Sequence, residues 1–183
     1  MAWRHRGILA ALALTLGLLG AGGADARVGD TVENFEAGPM VTGGQVAFLE
    51  PFTLKNKALS GVTYRATSTY KKACQVMLVV KGGKIESEIF AIPVVGDPEV
   101  LKAERELLDS FLVQSGIPAK YHAAIREHMV AAMDNTPAPR KMGTHMVQAL
   151  MIPAEVPLLV IAVAKDSATL PFPKPAIQPQ AEQ

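Results

Sequence analysis

Between Asp97 and Asp134 apolar residues recur at the three-to-four spacing of a helix face. Val100, Leu101, Leu107, Leu108, Phe111 and Leu112 form one stripe, with Lys102, Glu106 and Asp109 outside it. Asp97 suits an N-cap, Pro98 the first helical position where no amide donor is needed, and Glu99 complements the positive end of the helix dipole. Gly116 stops this helix by accepting a left-handed conformation. Pro118 then opens a second helix carrying Tyr121, Ile125, Met129, Ala132 and Met133 on one side. The short linker predicts two neighbouring helices.

Upstream, the period falls to two. Val46, Phe48, Phe52 and Leu54 alternate except at Glu50-Pro51, which predicts a strand with a bulge or break. Val62, Tyr64, Ala66, Ser68 and Tyr70 alternate with Thr63, Arg65, Thr67 and Thr69, as in a strand with one wet face. Residues 74–81 and 84–93 flank Gly82-Gly83, a pair suited to the positive backbone angles of a two-residue hairpin. If Lys81 faces Lys84, the register places Val80 opposite Ile85, Leu78 opposite Ser87, Val76 opposite Ile89 and Cys74 opposite Ala91. Cys74 then lies on the apolar face as a small buried hydrophobe. Gln75, Met77, Val79, Glu86, Glu88 and Phe90 form the other, more polar face.

The flanking segments are shorter. Asp30 or Thr31 can cap a brief helix bearing Val32 and Phe35 and ended by Gly38-Pro39. The octet Val28-Gly29-Asp30-Thr31-Val32-Glu33-Asn34-Phe35 resembles the opening of thioredoxin-like peroxidases, over those residues alone; no redox cysteine follows at a suitable place, so it implies no peroxidase chemistry. Pro137 and Pro139 make residues 135–140 a loop. Residues 141–151 are expected to form a third helix with Met142, Met146, Ala149 and Leu150 inward, and Leu158 to Ala164 a buried strand. The Pro-rich residues 167–183 are expected to be a disordered tail.

Residues 1–26 change the compartment. A basic Trp3-Arg4-His5-Arg6 start, an apolar run from Ile8 to Leu19 and a small-residue end at Ala24-Asp25-Ala26 make a secretory signal, cleaved after Ala26. The run is short of the ~20 residues that span a bilayer. A periplasmic or secreted protein with no transmembrane segment in its mature chain is the expectation. Of 18 Lys and Arg the signal takes Arg4 and Arg6, and of 17 Asp and Glu it takes Asp25, leaving 16 of each. A near-neutral chain with no basic patch is a poor nucleic-acid partner.

The candidate chemistry is sparse. Cys74 is the only cysteine, which excludes an intramolecular disulfide or a multi-cysteine zinc site. His128, Met129, Met133, Met142, His145 and Met146 combine soft thioethers with imidazoles, the donors a copper(I) site needs. The competing reading makes the methionines core packing, with no cofactor. His122 reads as a solvated histidine. Glu104 interrupts the first helix's apolar stripe and reads as a rim position with an ion pair; buried, it would need a partner such as Arg126 or Arg65. No nucleophile elbow, phosphate-binding glycine loop or His-Glu-x-x-His pair is present.

These elements predict a single α+β domain over residues 27–166, an antiparallel sheet of four to five strands packed on one face by two or three α-helices. The function expected is that of a non-catalytic binding or accessory protein. It would hold an apolar small molecule between sheet and helices or dock on an envelope protein through Met77, Val79 and Phe90. Copper(I) binding or delivery through the Met/His set is the alternative, and an enzyme of unassigned class the next.

Overall fold

The computed structural model describes residues 27–67 and 74–172. The expected signal segment and the residues after Phe172 lie outside these, as do Ser68 and Tyr70 of the second predicted strand. Among the described residues an α+β architecture forms. One seven-stranded antiparallel sheet runs in the order β1-β2-β3-β4-β7-β6-β5, with four α-helices against one face. The strands are β1 Val46–Thr53, β2 Leu59–Ala66, β3 Gln75–Lys81, β4 Lys84–Pro93, β5 Arg140–Met142, β6 His145–Ile152 and β7 Leu158–Ala164. The helices are α1 Val32–Glu36, α2 Pro39–Thr42, α3 Pro98–Gln114 and α4 His122–Asp134.

The central helices form as their sequence dictates. Asp97 Oδ1 accepts from the amides of Glu99 and Val100, Pro98 occupies the first turn, and Gly116 adopts φ 72° just beyond the helix end. Leu107, Leu108, Phe111 and Leu112 are buried, and the Phe111 ring stacks on Phe90 of β4 at 5.2 Å. In α4, Ile125, Met129 and Ala132 are buried and Met133 is exposed. The thioether expected on the inner side thus points outward.

Two corrections enlarge the sheet. Residues 141–151 are not a helix: β5 and β6 form a hairpin in which Met142 faces His145 across Gly143-Thr144. The apolar residues there satisfy both periods, and β7 decides between them by pairing with β6 along its whole length. The other correction is in the β3–β4 register. Lys81 faces Lys84 and Val80 faces Ile85 as expected, but a bulge then places Ser87, not Glu86, opposite Val79. Every later pair slips by one, so Leu78 faces Glu88, Val76 faces Phe90 and Gln75 faces Ala91. The chain near the N-terminus explains the irregularity. The Gly29 amide donates to the Ile85 carbonyl, and the Ile85 amide donates to the Asp30 carbonyl. The start of β4 is therefore held by residues 29–31, whereas β7 takes over only from Ser87.

Between the sheet and the helices the space is filled by Phe35, Met40, Tyr64, Leu78, Phe90, Phe111 and Ile161, all essentially inaccessible. Tyr64 packs its ring 4.9 Å from Phe35 and donates its hydroxyl to Glu36 at 2.9 Å. Buried Gln114 ties three segments together: its Oε1 accepts from the Met40 amide at 2.8 Å, and its Nε2 donates to the Phe35 carbonyl at 3.1 Å.

The hairpin assignment gives Gly143 a diagnostic substitution. In a helix, Gly143→Ala would stabilise the protein by about 1 kcal/mol. In the observed turn Gly143 has φ 69°, so the substitution is expected to destabilise by roughly 1 kcal/mol, read as a lower urea midpoint.

Candidate functional site

The sheet face turned away from the helices is the surface with features that folding alone does not account for. Antiparallel alternation lays its residues in rows across the strands. One row runs Phe52, Gly61, Val79, Ser87, Ala164 and Met146; the next runs Thr63, Met77, Ile89, Ala162 and Gln148. Beyond them come Ala91, Val160 and Leu150, then Pro93, Leu158 and Ile152. Val79, Ile89, Ala91, Val160 and Ala162 form a buried cluster on which no helix packs among the described residues. Half-buried Phe52, Leu54, Leu59, Met77, Leu150 and Leu158 rim it. Leu170 and Phe172, from the segment assigned to the tail by sequence, also pack onto it. The Phe52 ring covers Gly61 so closely that a Cβ there would lie 2.1 Å from its nearest atom.

Two polar side chains are embedded in this apolar face. Ser87 is fully buried and its hydroxyl has no hydrogen-bond partner; Gln148 is 1% exposed and neither its Oε1 nor its Nε2 is bonded. A buried amide or hydroxyl left unmade costs about 1–3 kcal/mol. Sequence reasoning missed both: Gln148 lies where a helix was expected, and Ser87 reaches this face only through the bulge. Of Met77, Val79 and Phe90, expected to form an outer docking surface, Met77 and Val79 lie on the outer sheet face, where Val79 is buried at 4% exposed. Phe90 is instead in the core against Phe111, because of the same slip.

The opposite face holds the buried titratable groups. Glu88 is fully inaccessible; its Oε2 accepts from the Ser115 hydroxyl beyond the end of α3, and its Oε1 is unpartnered. Burial, opposed by the Ser115 bond and aided by Asp30, pushes its carboxyl from the ordinary 4.5 up to about 8. Glu104 is 3% exposed rather than at a rim. Its Oε1 accepts from the Cys74 thiol at 3.9 Å, and burial raises its pKa to about 7. Arg126, proposed as its partner, donates instead to Asp109 at 2.7 Å. Cys74 itself is buried on the apolar inner face, as expected. His122 is buried rather than solvated, with Nε2 3.0 Å from the Ile117 carbonyl and Nδ1 3.9 Å from Asp109.

The Met/His set is divided. Met142 and His145 face each other on β5 and β6, on the helix side, where α4 supplies Met129 and His128. Met146 lies on the outer row and Met133 is exposed, so neither joins them. Both ring nitrogens of His128 are buried without a partner. Burial and the charge of Arg140 hold its pKa below the ordinary histidine value; burial and Arg27 do the same for His145. No cluster of three His, Cys, Asp or Glu able to hold a metal occurs among the described residues, and no helix there is long and apolar enough to cross a membrane. His122, His128, His145 and Glu104 have separate surroundings, and no hydrogen bond joins any two of them.

The fold thus defines an α+β protein in which, among the described residues, helices pack on one sheet face and Leu170 and Phe172 pack on the other. No family model, curated protein or solved structure matches the chain.

Glu88 carries a pH prediction. Its folded pKa lies above its unfolded value, so the native state keeps a proton that the unfolded chain loses, and stability falls as pH rises from about 5 to about 8. Glu104 acts in the same direction, up to about 7. Glu88→Gln keeps an acceptor for Ser115 and removes the ionisation. Urea midpoints at pH 5.5 and 8.5 should differ for the native protein by a stability on the order of a few kcal/mol, and clearly less for the variant.

Proposed function

We propose that this chain is a non-catalytic binding protein of the periplasm or extracellular space, and that it takes up an apolar ligand on the outer sheet face. The reading is carried by one observation: Ser87 and Gln148 stand buried and unbonded in an apolar face on which no helix packs among the described residues. A mainly apolar ligand that carries polar groups of its own, lying across β4, β7 and β6, would supply their missing partners and cover the half-buried rim. The alternative space, between sheet and helices, is filled by side chains of the chain itself. The leader-like start of the sequence supports the compartment.

Native mass spectrometry of protein recovered from the periplasm tests this. The expected result is a retained non-covalent mass, lost in a variant carrying Met77→Lys and Leu150→Lys, two half-buried rim positions whose substitution leaves the helix-side core intact. A bare chain in both preparations, after mild recovery, would overturn it.

A second reading, copper(I) binding, is favoured by His128, whose unbonded and neutral imidazole lies on the same side of the sheet as Met129, Met142 and His145. It predicts one copper(I) per chain in the native protein and none after His128→Leu with Met142→Leu. Equal metal uptake by the two would reject it.

A further inference from the structure

β7 ends at Ala164, opposite Ser87 of β4 and Met146 of β6, and the chain does not leave the sheet there. Asp166 closes a tight turn. Its Oδ1 accepts from the Ala168 amide at 2.9 Å and the Thr169 amide at 3.0 Å, and the Thr169 hydroxyl donates to the Asp166 carbonyl at 3.1 Å. The turn sends the chain back over the outer face, where Leu170 and Phe172 pack on the buried cluster of Val79, Ile89, Ala91, Val160 and Ala162. That cluster is at most 5% exposed, whereas Leu170, Pro171 and Phe172 above it are half-buried. Among the described residues, the hydrogen bonds of residues 166–172 all close within Asp166–Thr169. None ties this segment to the sheet, so its grip rests on two apolar side chains. Nor does it bond to the polar groups of the face, since Ser87 and Gln148 stay without partners.

We propose that Asp166–Phe172 is an autoinhibitory strap, which occupies the outer face in the free protein and swings away about the Asp166 turn when a ligand binds there. The inference rests on the outer-face binding reading and names how that site is regulated. The strap covers the apolar rows but leaves Ser87 and Gln148 unbonded, so it meets only half of what the face offers. A mainly apolar ligand with polar groups of its own meets both halves, and that difference drives the exchange. Until then Leu170 and Phe172 keep the free protein from presenting a bare apolar surface. Opening breaks no hydrogen bond to the sheet, and Lys165–Ala168 are exposed, so the turn can rotate without disturbing the core. The ligand's apparent affinity is its affinity for the open face multiplied by the fraction of chains whose strap is open. Loosening the strap therefore strengthens binding. A strap that were fixed structure would belong to the wall of the site, and loosening it would weaken binding.

The test is titration of the purified protein with 8-anilinonaphthalene-1-sulfonate, an apolar fluorophore that carries an amine and a sulfonate. Leu170→Ser with Phe172→Ser loosens the strap at its contacts, and Asp166→Ala with Thr169→Ala loosens it at its turn; neither pair alters the sheet. Each variant is expected to bind one probe molecule per chain about tenfold more tightly than the native protein. A single urea transition shows that each is folded. Adding Met77→Lys and Leu150→Lys should abolish binding in every background, which ties it to the outer face. In the native protein the Leu170 methyl resonances should move to the positions of an unstructured leucine as the probe saturates, while those of buried Leu78 stay. Probe affinity unchanged or weaker in both strap variants, or Leu170 resonances unmoved at saturation, would overturn the strap and leave the outer-face reading standing where binding still depends on Met77 and Leu150. Binding indifferent to those two substitutions, or no binding by any variant, would overturn the outer-face reading and the strap with it.

Discussion

One extra residue in β4 decides which side chains face which way in the centre of the molecule. Because side chains alternate at every residue of a strand, the bulge between the Val80–Ile85 and Val79–Ser87 pairs exchanges the two faces of β4 from that point on. Phe90 turns inward to stack on Phe111, Glu88 turns inward to meet Ser115, and Ser87, Ile89 and Ala91 turn outward. Without it the core would lose the Phe90 ring that stacks on Phe111. The cause is local competition for hydrogen bonds, since the start of β4 is claimed by residues 29–31 and the remainder by β7.

The C-terminal end of α3 is the counterpart of that constraint on the helical side. Gln114 bonds both to the Phe35 carbonyl and to the Met40 amide, and Ser115 bonds to Glu88, so three segments distant in sequence are held at two consecutive residues. Polar groups buried in this way contribute more to a unique arrangement than to net stability, because their desolvation offsets much of their bonding. Glu88 illustrates the balance: it remains protonated to near pH 8 because burial outweighs the Ser115 bond.

The outer face contrasts with the end of α3 in how its buried amide is used. Gln114 makes both of its bonds, whereas Gln148, equally buried, makes neither. The same amide group in the same protein is thus used in one place as structure and left in the other as unexpended bonding capacity.

The sequence by itself determined the elements whose signals are local. The caps at Asp97 and Thr31, the left-handed stop at Gly116, the two-residue turn at Gly82-Gly83 and the apolar strand from Leu158 are all present where nearest-neighbour chemistry places them. The break near Glu50 is also there, as a register shift between Phe48 and Glu50. Only the tertiary structure decided the rest. Residues 141–151 carry a pattern that fits helix and strand alike, and pairing with β7 selected the strand. The face of Phe90, the burial of Glu104 and His122, and the dispersal of the methionines followed from register and from which elements pack together. Those outcomes depend on hydrogen bonds and contacts between residues far apart in the chain, which no local spacing encodes.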